Sequence, residues 1–147
     1  MLPTLVLQLN KMLQWAEAWS SQVKKSFLKD WEAHTAMKVT IMKKLEYPLL
    51  AATLTEPECK KVMAKLLQQA LQKAGFNRHF PRAAFYGPGR PMGGEISPLY
   101  YTMIGKHISE ISGEAPFDTP IGHLIRTRIE SCKLELSRQG DLFHKIM

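Results

Sequence analysis

The sequence predicts an all-α fold, a bundle of about five helices interrupted once by a loop rich in glycine and proline. Three observations predict it. Neither proline nor glycine occurs between Thr4 and Tyr47. Apolar residues recur at three- and four-residue steps, the period of one helix face. Helix start and stop residues flank the later periodic stretches. At 147 residues, 45% hydrophobic and 22% charged, the chain has the size and composition of one globular domain that can bury roughly two-thirds of its unfolded surface.

The first element is an amphipathic helix whose stripe is Leu5, Leu9, Met12, Ala16, Trp19, Val23 and Phe27, with Lys11, Lys24, Lys25 and Lys29 off it. The periodic run is long for one globular helix, and the break is expected at Glu32-Ala33-His34-Thr35. A second stripe follows at Met37, Ile41 and Leu45. Pro48 biases Tyr47 away from helical angles and is expected to end it. The clearest start signal is Thr55-Glu56-Pro57-Glu58, the pattern of a capping box with proline in the first turn. Cys59, Val62, Met63, Leu66, Ala70 and Leu71 make the apolar face of that helix, and Gly75 supplies a left-handed stop.

Residues 76–96 hold Pro81, Gly87, Pro88, Gly89, Pro91, Gly93 and Gly94, a loop composition with room for one short strand at Ala83–Tyr86. Ser97-Pro98 opens a further helix that closes at Gly113, with Tyr101, Ile104, Ile108 and Ile111 expected inward. Thr119-Pro120 opens the last, running to about Ser137, with Ile121, Ile125, Ile129, Cys132 and Leu136 as its apolar face. The chain reads as a single domain of three stretches, a lysine-rich 1–75, the loop 76–96 and the helical 97–147.

Several functions find no support in this pattern. The apolar stretch from Leu2 to Leu9 is far shorter than the ~20 residues of a membrane span, and with no basic leader or cleavage pattern an intracellular location is expected. Two cysteines, Cys59 and Cys132, make no disulfide framework and are expected to be reduced core residues. Two-metal chemistry needs converging carboxylates, yet the only aspartates are Asp30, Asp118 and Asp141, and none is adjacent to another. The histidines His34, His79, His107, His123 and His144 lack zinc-type spacing. No catalytic residue, cofactor or metal site is therefore expected. Spacing alone leaves open a Cys/His pair, although a thiol on an apolar face stays protonated.

The charge balance is more informative. The net charge is +7, which favours polyanionic partners. Every basic residue in 1–74 is lysine, and every arginine lies from Arg78 onward. The dibasic pairs Lys24-Lys25, Lys43-Lys44 and Lys60-Lys61 suit tracking of a sugar-phosphate chain, and equally suit a solvated helix face. The sequence Gly87-Pro88-Gly89-Arg90-Pro91-Met92-Gly93-Gly94 lacks the Gly-Lys-Ser/Thr ending of a phosphate-cradling loop and reads as a connecting loop. Around it Arg78, Arg82 and Arg90 can clasp a backbone phosphate. A different reading uses the tryptophans. Trp15, Trp19 and Trp31 beside Lys24, Lys25 and Lys29 also suit a helical protein-interaction module or a membrane-surface helix.

One ordered series of residues carries a resemblance. It runs Met42-Lys43-Lys44-Leu45-Glu46-Tyr47-Pro48-Leu49, Thr53-Leu54-Thr55 with Cys59, Leu71 to Phe76 with Arg78, Phe80-Pro81-Arg82, Tyr86-Gly87-Pro88, Gly93-Gly94, Leu99-Tyr100 and His107-Ile108. Over roughly residues 15–143 it resembles the region C-terminal to the palm in reverse transcriptases of non-LTR-type retroelements from protists and fungi. The resemblance implies a thumb-like, non-catalytic segment of a longer protein. Such a segment would contact the RNA or DNA backbone of a primer-template without reading sequence, and would lean on an upstream palm. The family's Tyr-x-Asp-Asp signature has no counterpart here, so no catalytic residue carries over.

Overall fold

The computed structural model of the chain describes residues 3–88 and 94–136, and within them every regular element is helical. The backbone groups into two compact units, Met1–Ile104 and Gly105–Met147. The division falls inside a helix and not at the Gly/Pro loop, where the composition changes.

In the first unit, α1 (Pro3–Lys25) lies along α4 (Glu56–Lys73), the most extensive interhelix contact of the molecule. Met12, Ala16 and Val23 of α1 are buried, and α4 buries Cys59, Val62, Met63, Leu66, Leu67, Ala70 and Leu71. Each Val, Leu or Met among them withdrawn from water is worth about 1.5–3 kcal/mol. The helix α1 ends earlier than the apolar spacing suggests. The Ser26 hydroxyl donates to the Val23 carbonyl at 2.6 Å and occupies an orphaned acceptor of the last turn. The Lys29 amide donates to the Glu32 carboxylate at 2.8 Å and opens α2 (Asp30–Ala36). The break therefore falls at Ser26–Lys29, and Phe27, expected to close the stripe, is fully exposed.

From α2 the chain passes through a π-helical turn (Met37–Ile41), α3 (Met42–Glu46) and a 3-10 turn (Tyr47–Leu50). The apolar spacing explains the π turn. Ala33, Met37, Ile41, Leu45 and Leu49 recur at steps of four and all are buried. An α-helix has 3.6 residues per turn, so each four-residue step drifts by about 40°. One wider turn takes up part of that drift and keeps the stripe on the core. Tyr47 retains right-handed helical angles (φ −57, ψ −51) despite the following proline. The chain runs on until Ala51, because Leu49 has to reach the core.

After Leu54, whose amide points at the Met103 sulfur at 3.4 Å, the capping box at Thr55 forms. The Thr55 amide and its hydroxyl both donate to the Glu58 carboxylate at 2.8 Å. The hydroxyl proton is thus directed to the carboxylate, and its reception of the Glu58 amide is the weaker half of the box. These bonds hold the Glu58 carboxyl below the usual carboxylate value, the backbone amide being the larger cause. At the far end Gly75 takes the left-handed conformation (φ +83), and the Phe76 amide closes back on the Leu71 carbonyl at 3.1 Å.

The stretch expected to allow a strand forms instead a single helical turn, α5 (Arg82–Phe85). Phe85 decides this. It is wholly buried, edge-on to Phe76 at 5.1 Å and within 5.6 Å of Tyr86, and one helical turn after Pro81 directs it inward. The two described ends of the Gly/Pro loop are tied together. The Gly94 amide donates to the Phe85 carbonyl at 2.7 Å and the Glu95 amide to Gly87 at 3.1 Å. A Cβ on Gly94 would sit 2.6 Å from that same carbonyl, so the close approach requires glycine. His34 Nε2 meets the Gly94 carbonyl at 2.7 Å, and Lys38 pairs with Glu95 at 2.9 Å.

The helix α6 (Leu99–Glu114) begins in the first unit and buries Leu99 and Met103 there, with Tyr100 and Ile104 packed on the core. Ile104 thus faces inward as expected, whereas Tyr101 and Ile108 lie exposed. In the second unit, α7 (Pro120–Glu135) starts at Thr119, whose hydroxyl accepts from the Gly122 amide at 3.0 Å. The Arg126 guanidinium donates to the Ala115 and Phe117 carbonyls at 2.8 and 2.9 Å and fastens the turn before it. Only Gly122 of α7 is buried. Cys132, expected in the core, is exposed, while Ile125 and Ile129 of the same face are half-buried.

Candidate nucleic-acid interface

Three of the basic residues singled out from the sequence, Lys61, Arg78 and Arg82, meet at one groove of about 520 Å³. Local chemistry on either side of Gly75 brings them together. On α4 the apolar residues face α1, which leaves Lys61, Ala64, Lys65 and Gln68 on the outer face. Gly75 then reverses the chain, and Asn77 makes a tight turn, its side-chain oxygen accepting from the His79 amide at 2.9 Å. Phe76, Phe80 and Phe85 anchor this segment, with Phe76 and Phe80 rings 5.2 Å apart. Between those aromatic anchors Arg78, His79 and Arg82 remain exposed. Apolar side chains fix the backbone while the interleaved cations point to solvent.

The groove gains Lys65 and His79, which sequence reasoning missed. A signal was present for Lys65, since it stands one helical turn from Lys61 on the same face. Nothing local to His79 marked it. Lys65 pairs with Glu17 of α1 at 3.6 Å, and the Lys61 charge acts on the Glu58 carboxyl. Among the described residues Lys61, Arg78 and Arg82 make no ion pair. Desolvating several unpaired like charges is costly and each repels the others, so a site of this composition favours a polyanion.

The remaining candidates are dispersed. Lys24 and Lys25 are exposed at the end of α1 and do not line this groove. Lys43 pairs with Glu46 at 3.2 Å, and the Lys44 ammonium sits 4.7 Å from the centre of the Trp15 ring. Lys60 pairs with Glu56 one turn back at 2.7 Å, which raises its pKa. Lys43 and Lys60 are thus engaged in local ion pairs and Lys44 in a cation–π contact with α1. Arg90 lies outside the described residues. Of the tryptophans, Trp15 and Trp19 are half-buried against the core and Trp31 is exposed. Trp15 and Trp19 lie on α1 and Trp31 on α2, so the three do not share one helix.

The other chemistry-bearing groups stand apart. Burial, aided by the Glu58 charge, pushes the Cys59 thiol up to about 11, which keeps it protonated and unreactive. Asp118 meets His123 at 2.7 Å and Arg126 at 3.6 Å in an exposed cluster that joins the α6–α7 turn to α7. Among the described residues no three His, Cys, Asp or Glu side chains gather as a metal-ligand set, and no helix is long and apolar enough to cross a membrane. No family model, curated protein or solved structure matches the chain.

Proposed function

We propose that the chain is a non-catalytic nucleic-acid-binding module that grips the phosphate backbone in the groove formed by α4 and the turn after Gly75. The observation that carries this reading is the convergence of Lys61, Lys65, Arg78 and Arg82 on one concave surface, where only Lys65 has an ion-pair partner among the described residues, Glu17 at 3.6 Å. The guanidinium groups are planar forks suited to phosphate oxygens, and the ammonium groups add point charge. Backbone contact of this kind carries no sequence information, in keeping with the role implied by the likeness to retroelement reverse transcriptases. That origin, and an upstream palm as partner, belong to the same proposal.

Titration of a fluorescent oligonucleotide across salt concentrations tests it. Binding should weaken log-linearly with salt, and losing one groove cation should reduce the slope by about one. Substituting Lys61, Arg78 and Arg82 together by alanine should lower affinity at least tenfold, whereas Lys43→Ala should change it little. All four substitutions fall on exposed residues, so folding should survive. Absence of binding at low salt, or equal losses from the groove and control variants, would overturn the reading.

A further inference from the structure

Next to the cationic groove lies a second recess of about 410 Å³, and Ala64, Leu67 and Arg82 line both. Its remaining walls are mainly apolar and aromatic, with Tyr86, Pro98, Tyr100 and Tyr101 prominent. Tyr86 and Tyr100 are half-buried, while Tyr101 is 65% exposed. The Tyr101 ring is held edge-to-face by Tyr100 at 5.7 Å, so it is braced without being covered. Its neighbour Lys60 is already neutralised by Glu56 at 2.7 Å, which leaves Arg82 as the recess's unpaired charge among the described residues.

We infer that this tyrosine recess takes an unpaired nucleobase, and that the groove's ligand is therefore a single strand in preference to a duplex. The inference rests on the backbone-binding reading and narrows its ligand. In a single strand, each phosphate is linked through a sugar to a base whose faces are free to stack. Arg82, on the border of the two depressions, is placed to hold a phosphate while the adjoining base enters among the tyrosines. Cationic grooves with aromatic platforms alongside bind single strands in this way, and they tolerate any sequence because every base has a π-face. In a duplex the base faces are occupied by their neighbours. A duplex can therefore use the cations and leave the tyrosines in water.

Fluorescence anisotropy with an oligothymidine strand, a duplex of equal length and the same strand with abasic positions tests this. The wild-type protein should bind the strand about tenfold or more tightly than the duplex or the abasic strand. Tyr101→Ala should reduce strand affinity by a similar factor and leave duplex affinity and the salt slope unchanged, and Tyr101→Phe should restore it. Because Tyr101 is exposed, the variant should melt like the wild type. Equal binding of strand and duplex, or a Tyr101→Ala variant with undiminished strand affinity, would overturn the base-recess inference while leaving the backbone reading intact. Failure of every probe to bind at low salt would overturn both.

Discussion

The two units carry the same kind of sequence pattern and use it differently. The helix α4 has an apolar face at helical spacing, and every member of that face is buried beneath α1 or the segments around it. The helix α7 and its cap carry an equally periodic face, yet Ile121, Cys132 and Leu136 of that face are exposed and only Ile125 and Ile129 are half-buried. Phe117 and Ile108 of the same unit are likewise in water. Amphipathic periodicity states which face would gain from being covered. Whether it is covered depends on a second layer, and in the described part of the second unit that covering buries Gly122 and only half-covers Ile125 and Ile129. Stability in the first unit should therefore rest on packing, and in the second on caps and clamps such as Thr119 and Arg126.

The sharpest way to break this comparison is cysteine reactivity, because each unit holds one thiol. Cys132 should react with a thiol reagent in the folded protein at nearly the rate of a free peptide. Cys59 should react only after its surroundings open, which for stabilities of a few kcal/mol means about a thousandfold slower or more. Mass-spectrometric labelling at pH 8 measures both at once, and equal rates would erase the distinction. The same burial predicts a pH effect. Since the folded Cys59 thiol ionises near 11 and its ordinary value is 9.0, its contribution to stability is complete below pH 9. It should be lost as pH rises through about 11, and Cys59→Ser should blunt that alkaline decline.

Side-chain truncation gives the next largest contrast. Phe85→Ala removes a wholly buried ring and should cost about 3–5 kcal/mol in denaturant unfolding. Leu134→Ala, at an 81% exposed position, should stay within about 0.5 kcal/mol. A large loss from Leu134→Ala would mean that the α7 face is covered after all.

Smaller effects sharpen the picture at the caps. Thr55→Ala should cost about 1 kcal/mol. Because the Glu58 carboxyl is held below its ordinary value of 4.5, its contribution is present above that pH and is lost as pH falls through its folded pKa. Acid unfolding of Glu58→Gln should lack this component. The smallest effect concerns Ser20, whose hydroxyl is buried with no hydrogen-bond partner among the described residues. Ser20→Ala should leave stability unchanged or raise it by up to about 1 kcal/mol, since an unsatisfied hydroxyl is costly to bury. A clear loss in a thermal melt would assign Ser20 a partner.

Where the helices begin and end was legible to the extent that the signals are local. The Thr55–Glu58 box, the Gly75 stop and the Thr119 cap each involve groups within a few residues, and each forms where the sequence places it. The first break was misplaced because the Ser26 and Lys29–Glu32 bonds that make it are weak signals beside a strong apolar period, which Phe27 appeared to extend. The strand allowed at Ala83–Tyr86 became a helical turn because Phe85 had a distant aromatic cluster to join. The candidate site was legible in kind but not in membership. Of the nine basic residues that the sequence marks as candidates, Lys61, Arg78 and Arg82 share the groove.

What the sequence by itself determined is the helical class, the capped ends of α4 and α7, and the excess of positive charge. Backbone propensity, capping and Coulomb's law act over a few residues or over the total charge, and both are written in the chain. What only the tertiary structure decided is which cations meet. Lys61 and Arg78 lie on opposite sides of the Gly75 reversal, and only the packing of three phenylalanines sets their shared groove. It also decided that the stripe of α4 is buried while that of α7 is covered only in part. Burial is a property of what lies opposite a face, and residue spacing carries no record of that.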